Sequence, residues 1–281
     1  MKTVVITGFT SGIGFAAAKA FVALGWRVIG VARDEKSAEK AQAAFRAIDQ
    51  SAETEYFLAD LSNQSEAATA ADKVCAYICE TCGGRLDALI SNAGGVRSVY
   101  TTTKEGYEYQ FALNHLAGVM FTYKLIACLR AANGRVIFTG SNSHKHIRVR
   151  FDDVMLKRHY HCLRAYKHTK LLTMLFARAF NERFIDTGVH AYVVDPGLVN
   201  TAIGTKQTSG IVRFVWDIRR RGGCAPELPA QTYVYLASSI PAPDGLYFSR
   251  CKKSGFSRFV KNDADAKSVF ALSERYCGIT F

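Results

Sequence analysis

Thr7-Gly8-Phe9-Thr10-Ser11-Gly12-Ile13-Gly14 follows the short β-branched run Val4-Val5-Ile6 and leads into Ile13 to Leu24, an Ala- and Phe-rich segment with helical spacing. The first run has the character of a fully buried strand, and the last that of a helix. Gly8, Gly12 and Gly14 therefore fall in a strand-to-helix turn. Residues without Cβ can take unusual φ there and let a ligand approach the backbone. Free N–H groups at the start of the helix then face outward, ready for an anion such as a pyrophosphate. A turn that needs glycine for shape alone would look the same locally, so the rest of the chain decides.

Similar β-branched runs recur at Thr3–Thr7, Arg27–Val31, Glu55–Leu58, Leu86–Ser91, Arg135–Thr139 and His190–Val194. Between them lie periodic segments near 12–24, 35–48, 64–80, 107–131 and 163–183. This alternation implies βαβ units, parallel strands and right-handed crossovers. The expected fold is α/β: a single-domain, doubly wound parallel sheet with helices on both faces. Its ligand site lies beyond the carboxyl ends of the strands. A chain of 281 residues accommodates this as one domain, 1–281, and no repeat or Pro-rich linker divides it. After Val194 come a Gly/Thr-containing stretch, the amphipathic Ile211–Arg221, a helix near 226–239, an apolar run Gly245–Phe248 and a terminal helix near 263–277.

The net charge of +12 suits a polyanionic partner or cofactor, but apart from Arg219-Arg220-Arg221 and Lys252-Lys253 the basic residues are spread out. No basic stripe interleaved with aromatics is present, so nucleic acid is not an expected partner. No run reaches the roughly 18 apolar residues of a membrane span, and the first residues lack signal-peptide character; the expectation is a soluble, cytoplasmic protein. Of the eight cysteines, Cys79 and Cys82 form a C-x-x-C with Cys75 one turn earlier. No second such pair follows, so reduced thiols at the end of a surface helix are expected, and no metal. His144, His146, His159 and His161 are read as solvent contacts of a loop.

Each strand end carries a chemical feature. The second strand ends in Ala32-Arg33, where dinucleotide-binding sheets meet the adenosine ribose. An arginine in place of an acid suits a 2′-phosphate, which favours NADP(H) over NAD(H). The third ends in Ala59-Asp60-Leu61; Asp60 could accept the adenine amino group or cap the helix near Gln64. The fourth ends in Ser91-Asn92-Ala93-Gly94, small enough for close approach. The fifth ends with Ser141 and Ser143 as candidates, and the sixth with Asp195-Pro196-Gly197, followed by Val199 and Thr201. Tyr166 and Lys170, four apart, share one helix face. A phenol with an ordinary pKa of about 10 comes toward useful acid/base range when a fixed ammonium favours its phenolate.

Taken in order, TGFTSGIG, ADL, SNAG, Asn114 in FALNHLAG, Ser141, Tyr166-x-x-x-Lys170 and DPG resemble the short-chain dehydrogenase/reductase family along essentially the whole chain. Within it the chain is most similar to the retinol dehydrogenase-like branch: NHLAGVMF, Ser141-Asn142-Ser143-His144, a wide gap before the tyrosine and the tail DGLYFSRCKKSGFSRFVKNDADA match that branch. Tyr166 stands 25 positions after Ser141, which matches the branch and selects Ser141 over Ser143. Gly140 stands where the branch has a second serine, and Thr169 where it commonly has serine.

The resemblance implies a Rossmann-type fold and reversible hydride transfer between a nicotinamide cofactor and an alcohol or carbonyl. It implies Tyr166 as acid/base, Lys170 as its tuning partner, Ser141 as polariser of the carbonyl oxygen and Asn114 as holder of a relay water. Cofactor contacts are expected from Gly8, Ser11, Gly12, Ile13, Gly14, Arg33, Asp60, Leu61, Asn92, Ala93, Gly94, Tyr166, Lys170, Pro196, Gly197, Val199 and Thr201. A substrate lid is expected over about 198–225, with Ile211, Val212, Phe214, Val215, Trp216 and Ile218 as apolar lining, which argues for a lipophilic substrate. Residues 211–221 could instead rest on a membrane surface. Monomer and homodimer both fit, and a non-catalytic NADP-binding regulator is the alternative function.

Overall fold

The computed structural model describes residues 1–199 and 223–281. Among the described residues eight strands form one sheet in the order β3-β2-β1-β4-β5-β6-β7-β8. They are β1 (Thr3–Thr7), β2 (Arg27–Ala32), β3 (Thr54–Leu58), β4 (Ala88–Ser91), β5 (Arg135–Thr139), β6 (His190–Val194), β7 (Tyr247–Ser249) and β8 (Lys252–Lys253). The first seven run parallel, and β8 pairs antiparallel with β7 at the sheet edge, both its lysines exposed. The order reverses direction between β1 and β4, the switch point at which open α/β sheets bind ligands.

The helices are α1 (Gly12–Ala23), α2 (Glu35–Arg46), α3 (Gln64–Thr81), α4 (Tyr109–Phe111), α5 (Ala117–Lys124), α6 (Ile126–Ala132), α7 (Cys162–Arg183), α8 (Glu227–Ser238) and α9 (Asp263–Cys277). One apolar core forms on each sheet face. Val5, Leu89, Val136 and Val193 point toward α3, α5, α7 and α9, while Val4, Ile6, Ile90 and Ile137 point toward α1, α2 and α8. Alternate side chains of one strand thus reach opposite cores, which is why the central strands are mostly apolar.

The segment expected as one helix over 107–131 is broken. A π-helical turn, Ala112–Leu116, separates α4 from α5, and Leu125 (φ −99, ψ 5) breaks α5 from α6. Apolar periodicity runs through both breaks because Leu116, Val119, Phe121, Leu125 and Leu129 are all buried. Among the described residues no single helix is long and apolar enough to cross a membrane.

Residues between Ser141 and Tyr166 lie against the body of the fold. His168 of α7, 1% exposed, accepts the Arg150 amide at 3.1 Å. Buried Glu108 accepts the Tyr160 hydroxyl at 3.2 Å and the Phe111 amide at 2.7 Å. Gln110 donates to the Tyr160 hydroxyl at 2.8 Å.

Candidate active site

The opening turn places α1 with its first amides unclaimed by side chains. Ser11 is the N-cap but makes no side-chain cap hydrogen bond, and the first turn carries no acid. These amides and the positive end of the helix dipole favour an anion. Gly8, at φ +70, turns the chain out of β1, and a Cβ on Gly14 would sit 2.3 Å from the Gly8 carbonyl oxygen. Only glycine lets α1 start this close to the strand.

Asn92 binds the strand ends together. Its Nδ2 donates to the Thr7 and Gly8 carbonyls at 3.1 and 3.2 Å, while Thr7 Oγ1 accepts the amides of Asn92 and Ala93 at 3.0 and 3.1 Å. On the other side Thr139 Oγ1 shares a hydrogen bond with the Tyr233 hydroxyl at 2.8 Å. The floor of the cleft is thereby fixed across β1, β4, β5 and α8.

Around this floor stand Ser141, Tyr166, Lys170 and Asn114. Ser141 lies close enough to the Tyr166 hydroxyl to act on its pKa. Lys170, 3% exposed, donates from Nζ to the Thr139 carbonyl at 2.7 Å, and its ammonium lies 5.5 Å from the centre of the Tyr166 ring. Burial pulls Lys170 down to about 8. Tyr166 moves the other way: burial pushes it up to about 12, outweighing the lowering from Ser141, and the Asp195 carboxylate adds a smaller push. Lys170 is not among the groups that shift the phenol, so the expected lowering by Lys170 is not found.

Asn114 sits in the π turn, a widened turn frequent at functional sites. Its Oδ1 accepts the Gly95 amide at 2.8 Å, and Nδ2 donates to the Gly95 carbonyl at 3.0 Å and to Thr169 Oγ1 at 3.4 Å. Thr169 donates in turn to the Tyr166 carbonyl at 2.9 Å, so it keeps a hydroxyl where the resemblance expects serine. The Asn114 main-chain carbonyl accepts only Thr173 Oγ1, at 3.4 Å, among the hydrogen bonds found outside helical pairing. Gly140 also has a local cause: a Cβ there would lie 2.4 Å from Val193 Cγ1.

His144 departs from the expected solvent contact. It is 0% exposed, its Nδ1 lies 2.7 Å from the Ser141 carbonyl, and its Nε2 lies 3.2 Å from the Ser257 amide. An amide N–H can only donate, so Nε2 is the acceptor and Nδ1 carries the proton. Burial holds this imidazole below its ordinary pKa. It is therefore a neutral strut between the strand-end serine and the carboxy-terminal tail; the Ser141-Asn142-Ser143-His144 motif contains it, but the spacing does not signal its burial.

At the adenosine end Arg33 stands exposed just after β2. Asp60 does not cap α3, whose N-cap is Asn63; its Oδ1 accepts the Ser62 amide and hydroxyl at 3.0 and 2.8 Å. Two residues that the sequence reading missed join them. The Arg97 guanidinium lies 4.3 Å from the centre of the Tyr109 ring, and Arg33, Asp60 and Arg97 all act on the Tyr109 hydroxyl. The buried Arg97 Nε has no hydrogen-bond partner. At the other end Asp195 Oδ1 accepts the Gly197 amide at 3.0 Å, and Val199 pairs with Cys224. A pocket of 390 Å³ lies there between Asp195-Pro196-Gly197 and Leu228, Ser249 and Arg250. Thr201 and the lid residues 211–221 lie outside the described residues.

The cleft thus has an anion-ready helix start and a glycine turn that leaves no room for a side chain, a fit to a dinucleotide phosphate. The family model of short chain dehydrogenases matches residues 2–211. The chain belongs to the short-chain dehydrogenase/reductase family. Short-chain dehydrogenases of the retinol dehydrogenase-like branch resemble it along nearly their whole length. Mouse retinol dehydrogenase 12 is 32% identical over 281 residues, covering 99% of this chain and 87% of that protein. Human retinol dehydrogenase 14 is 31% identical over 300 residues, with the same two shares. Among solved structures, an uncharacterized protein from Mycobacterium paratuberculosis superposes with a TM-score of 0.74 at 27% identity, covering 100% of this chain and 95% of that one. An alcohol dehydrogenase from the archaeon Thermococcus sibiricus, complexed with 5-hydroxy-NADP, shares the fold at 20% identity and a TM-score of 0.68, covering 89% of this chain and 95% of that one. This short-chain dehydrogenase/reductase is an oxidoreductase of alcohols and carbonyls on a fold that binds a nicotinamide cofactor.

Proposed function

We propose that the protein is an NADP(H)-dependent oxidoreductase that interconverts a lipophilic primary or secondary alcohol with its aldehyde or ketone, the whole chain acting as one domain with about 198–225 as lid. The observation that carries the reading is the juxtaposed Ser141 and Tyr166 with the Lys170 ammonium 5.5 Å from the centre of the tyrosine ring. The first amides of α1, Gly8, Ser11, Gly12, Ile13 and Gly14 would hold the pyrophosphate, and Asp60, Leu61, Asn92, Ala93 and Gly94 the adenosine side. Pro196, Gly197, Val199 and Thr201 would hold the carboxamide end. Arg33 is assigned the 2′-phosphate, with Arg97 as a second guanidinium beside it. When bound, the cofactor supplies or accepts the hydride at the carbonyl carbon.

In the reductive direction the Ser141 hydroxyl orients the carbonyl oxygen, and the Tyr166 hydroxyl gives its proton to the oxygen as negative charge grows there. A phenol held near 12 is fully protonated at neutral pH, the form a general acid needs. Lys170, anchored on the Thr139 carbonyl with its ammonium beside the Tyr166 ring, is assigned the proton that restores the phenol. The main-chain carbonyl of Asn114 offers the acceptor for a relay water behind Lys170.

The test is a screen of lipophilic ketones and aldehydes with NADPH and NADH, followed by loss of reduced-cofactor absorbance. Tyr166→Phe should lower kcat/KM by about 10²- to 10⁴-fold, the usual worth of a positioned acid. Arg33→Ala should raise the KM for NADPH far more than that for NADH. NADPH binding without turnover that depends on Tyr166 would favour the non-catalytic regulator instead; equal effects on the two cofactors would remove Arg33 from the phosphate site.

A further inference from the structure

At the opposite end of the sheet from the cleft, three thiols meet. Cys75 and Cys79 lie one turn apart on α3, and Cys128 faces them from α6, whose carbonyl at Cys128 accepts the Leu86 amide just before β4. All three Sγ atoms lie within 4.8 Å of one another, and Cys75 and Cys128 are 3.9 Å apart. The C-x-x-C partner Cys82 belongs elsewhere: its sulfur accepts from Arg27 at 2.8 Å. The sequence motif is therefore not the unit; the spatial group joins two helices 53 positions apart at its closest pair.

Three thiolates bound at about 2.3 Å to one tetrahedral ion sit close to 3.8 Å from each other. The Cys75–Cys128 pair already spans that distance, and Cys79, exposed on its helix, can close on them by side-chain rotation. Burial grades from Cys128, buried, through Cys75 to exposed Cys79, which gives an ion a way in and a fourth position open to water. We propose that Cys75, Cys79 and Cys128 form a three-thiolate site for one zinc ion, with water as the fourth ligand, which clamps α3 to α6.

Cadmium serves as the spectroscopic probe. Reduced, metal-stripped full-length protein titrated with Cd²⁺ should develop a thiolate-to-metal charge-transfer band that saturates at one equivalent and is displaced by Zn²⁺. Zinc should also raise Tm, because an ion held only by the folded state stabilises it. Cys79→Ser changes an exposed side chain and should keep NADPH-dependent activity, yet weaken Cd²⁺ binding at least about a hundredfold and abolish the Tm rise. Cys251→Ser should change neither. Failure to saturate at one equivalent, or an identical titration in Cys79→Ser and Cys128→Ala, would overturn the site. Neither result bears on the hydride-transfer reading.

Discussion

At the scale of single residues, His144 shows how much a cleft depends on groups that never touch its ligand. Its neutral tautomer is imposed by the Ser257 amide on one nitrogen, and the other nitrogen holds the Ser141 carbonyl. His144→Asn shortens this strut and should lower kcat by about ten- to a hundredfold through a displaced Ser141, since small misplacements of reacting groups carry such costs. The Kd for NADPH, measured by fluorescence titration, should stay within twofold. A merely structural role would weaken Tm and leave kcat of the folded fraction unchanged. Tyr166, Lys170 and Ser141 were legible because each lies at a register that chemistry requires. Arg97 and Tyr109 were not, because tertiary contacts bring them to the site and leave no local spacing, and the motif that contains His144 does not signal its bond to Ser257.

At the scale of elements, β1, β5 and β6 coincide with the runs read from β-branched residues, and β4 is shorter than its run by two residues, Leu86 and Asp87. The central strands were readable because burial on both faces makes them mostly apolar. The π turn and the break at Leu125 were not, since both interrupt the backbone without interrupting the burial. The 142–161 insertion has little hydrophobic pattern and depends on polar anchors instead. Tyr160→Phe removes a hydroxyl bonded to Glu108, Gln110 and the Arg97 carbonyl, at 3.2, 2.8 and 3.2 Å. Loss of such a buried group should cost about 1–3 kcal/mol in urea unfolding. It should also speed tryptic cleavage near Arg148, Arg150 and Arg158, and wild-type cleavage rates in the variant would contradict the anchor.

For the whole molecule the buried histidines dictate the response to acid. Burial lowers His115 from 6.5 to about 3 and His168 from 6.5 to about 4. Both folded values lie below the unfolded one, so protons bind the unfolded chain first, and stability present above pH 6.5 is lost as pH falls toward those values. At pH 5 each should remove about 2 kcal/mol relative to pH 7, at about 1.4 kcal/mol per pH unit below 6.5. Glu108 acts in the opposite sense: burial raises it from 4.5 to about 6, so acidification relieves a buried charge. That offsets about 1 kcal/mol. Urea midpoints should fall between pH 7 and pH 5, and His115→Gln should flatten part of that slope; a pH-independent midpoint would contradict the account.

The antiparallel β8 shapes the behaviour of the molecule among its neighbours. The outermost backbone groups beyond β7 are covered by a two-residue strand made of Lys252 and Lys253. An extended segment of another chain seeking those groups would have to settle beside two ammonium charges, which discourages strand-by-strand growth into fibrils.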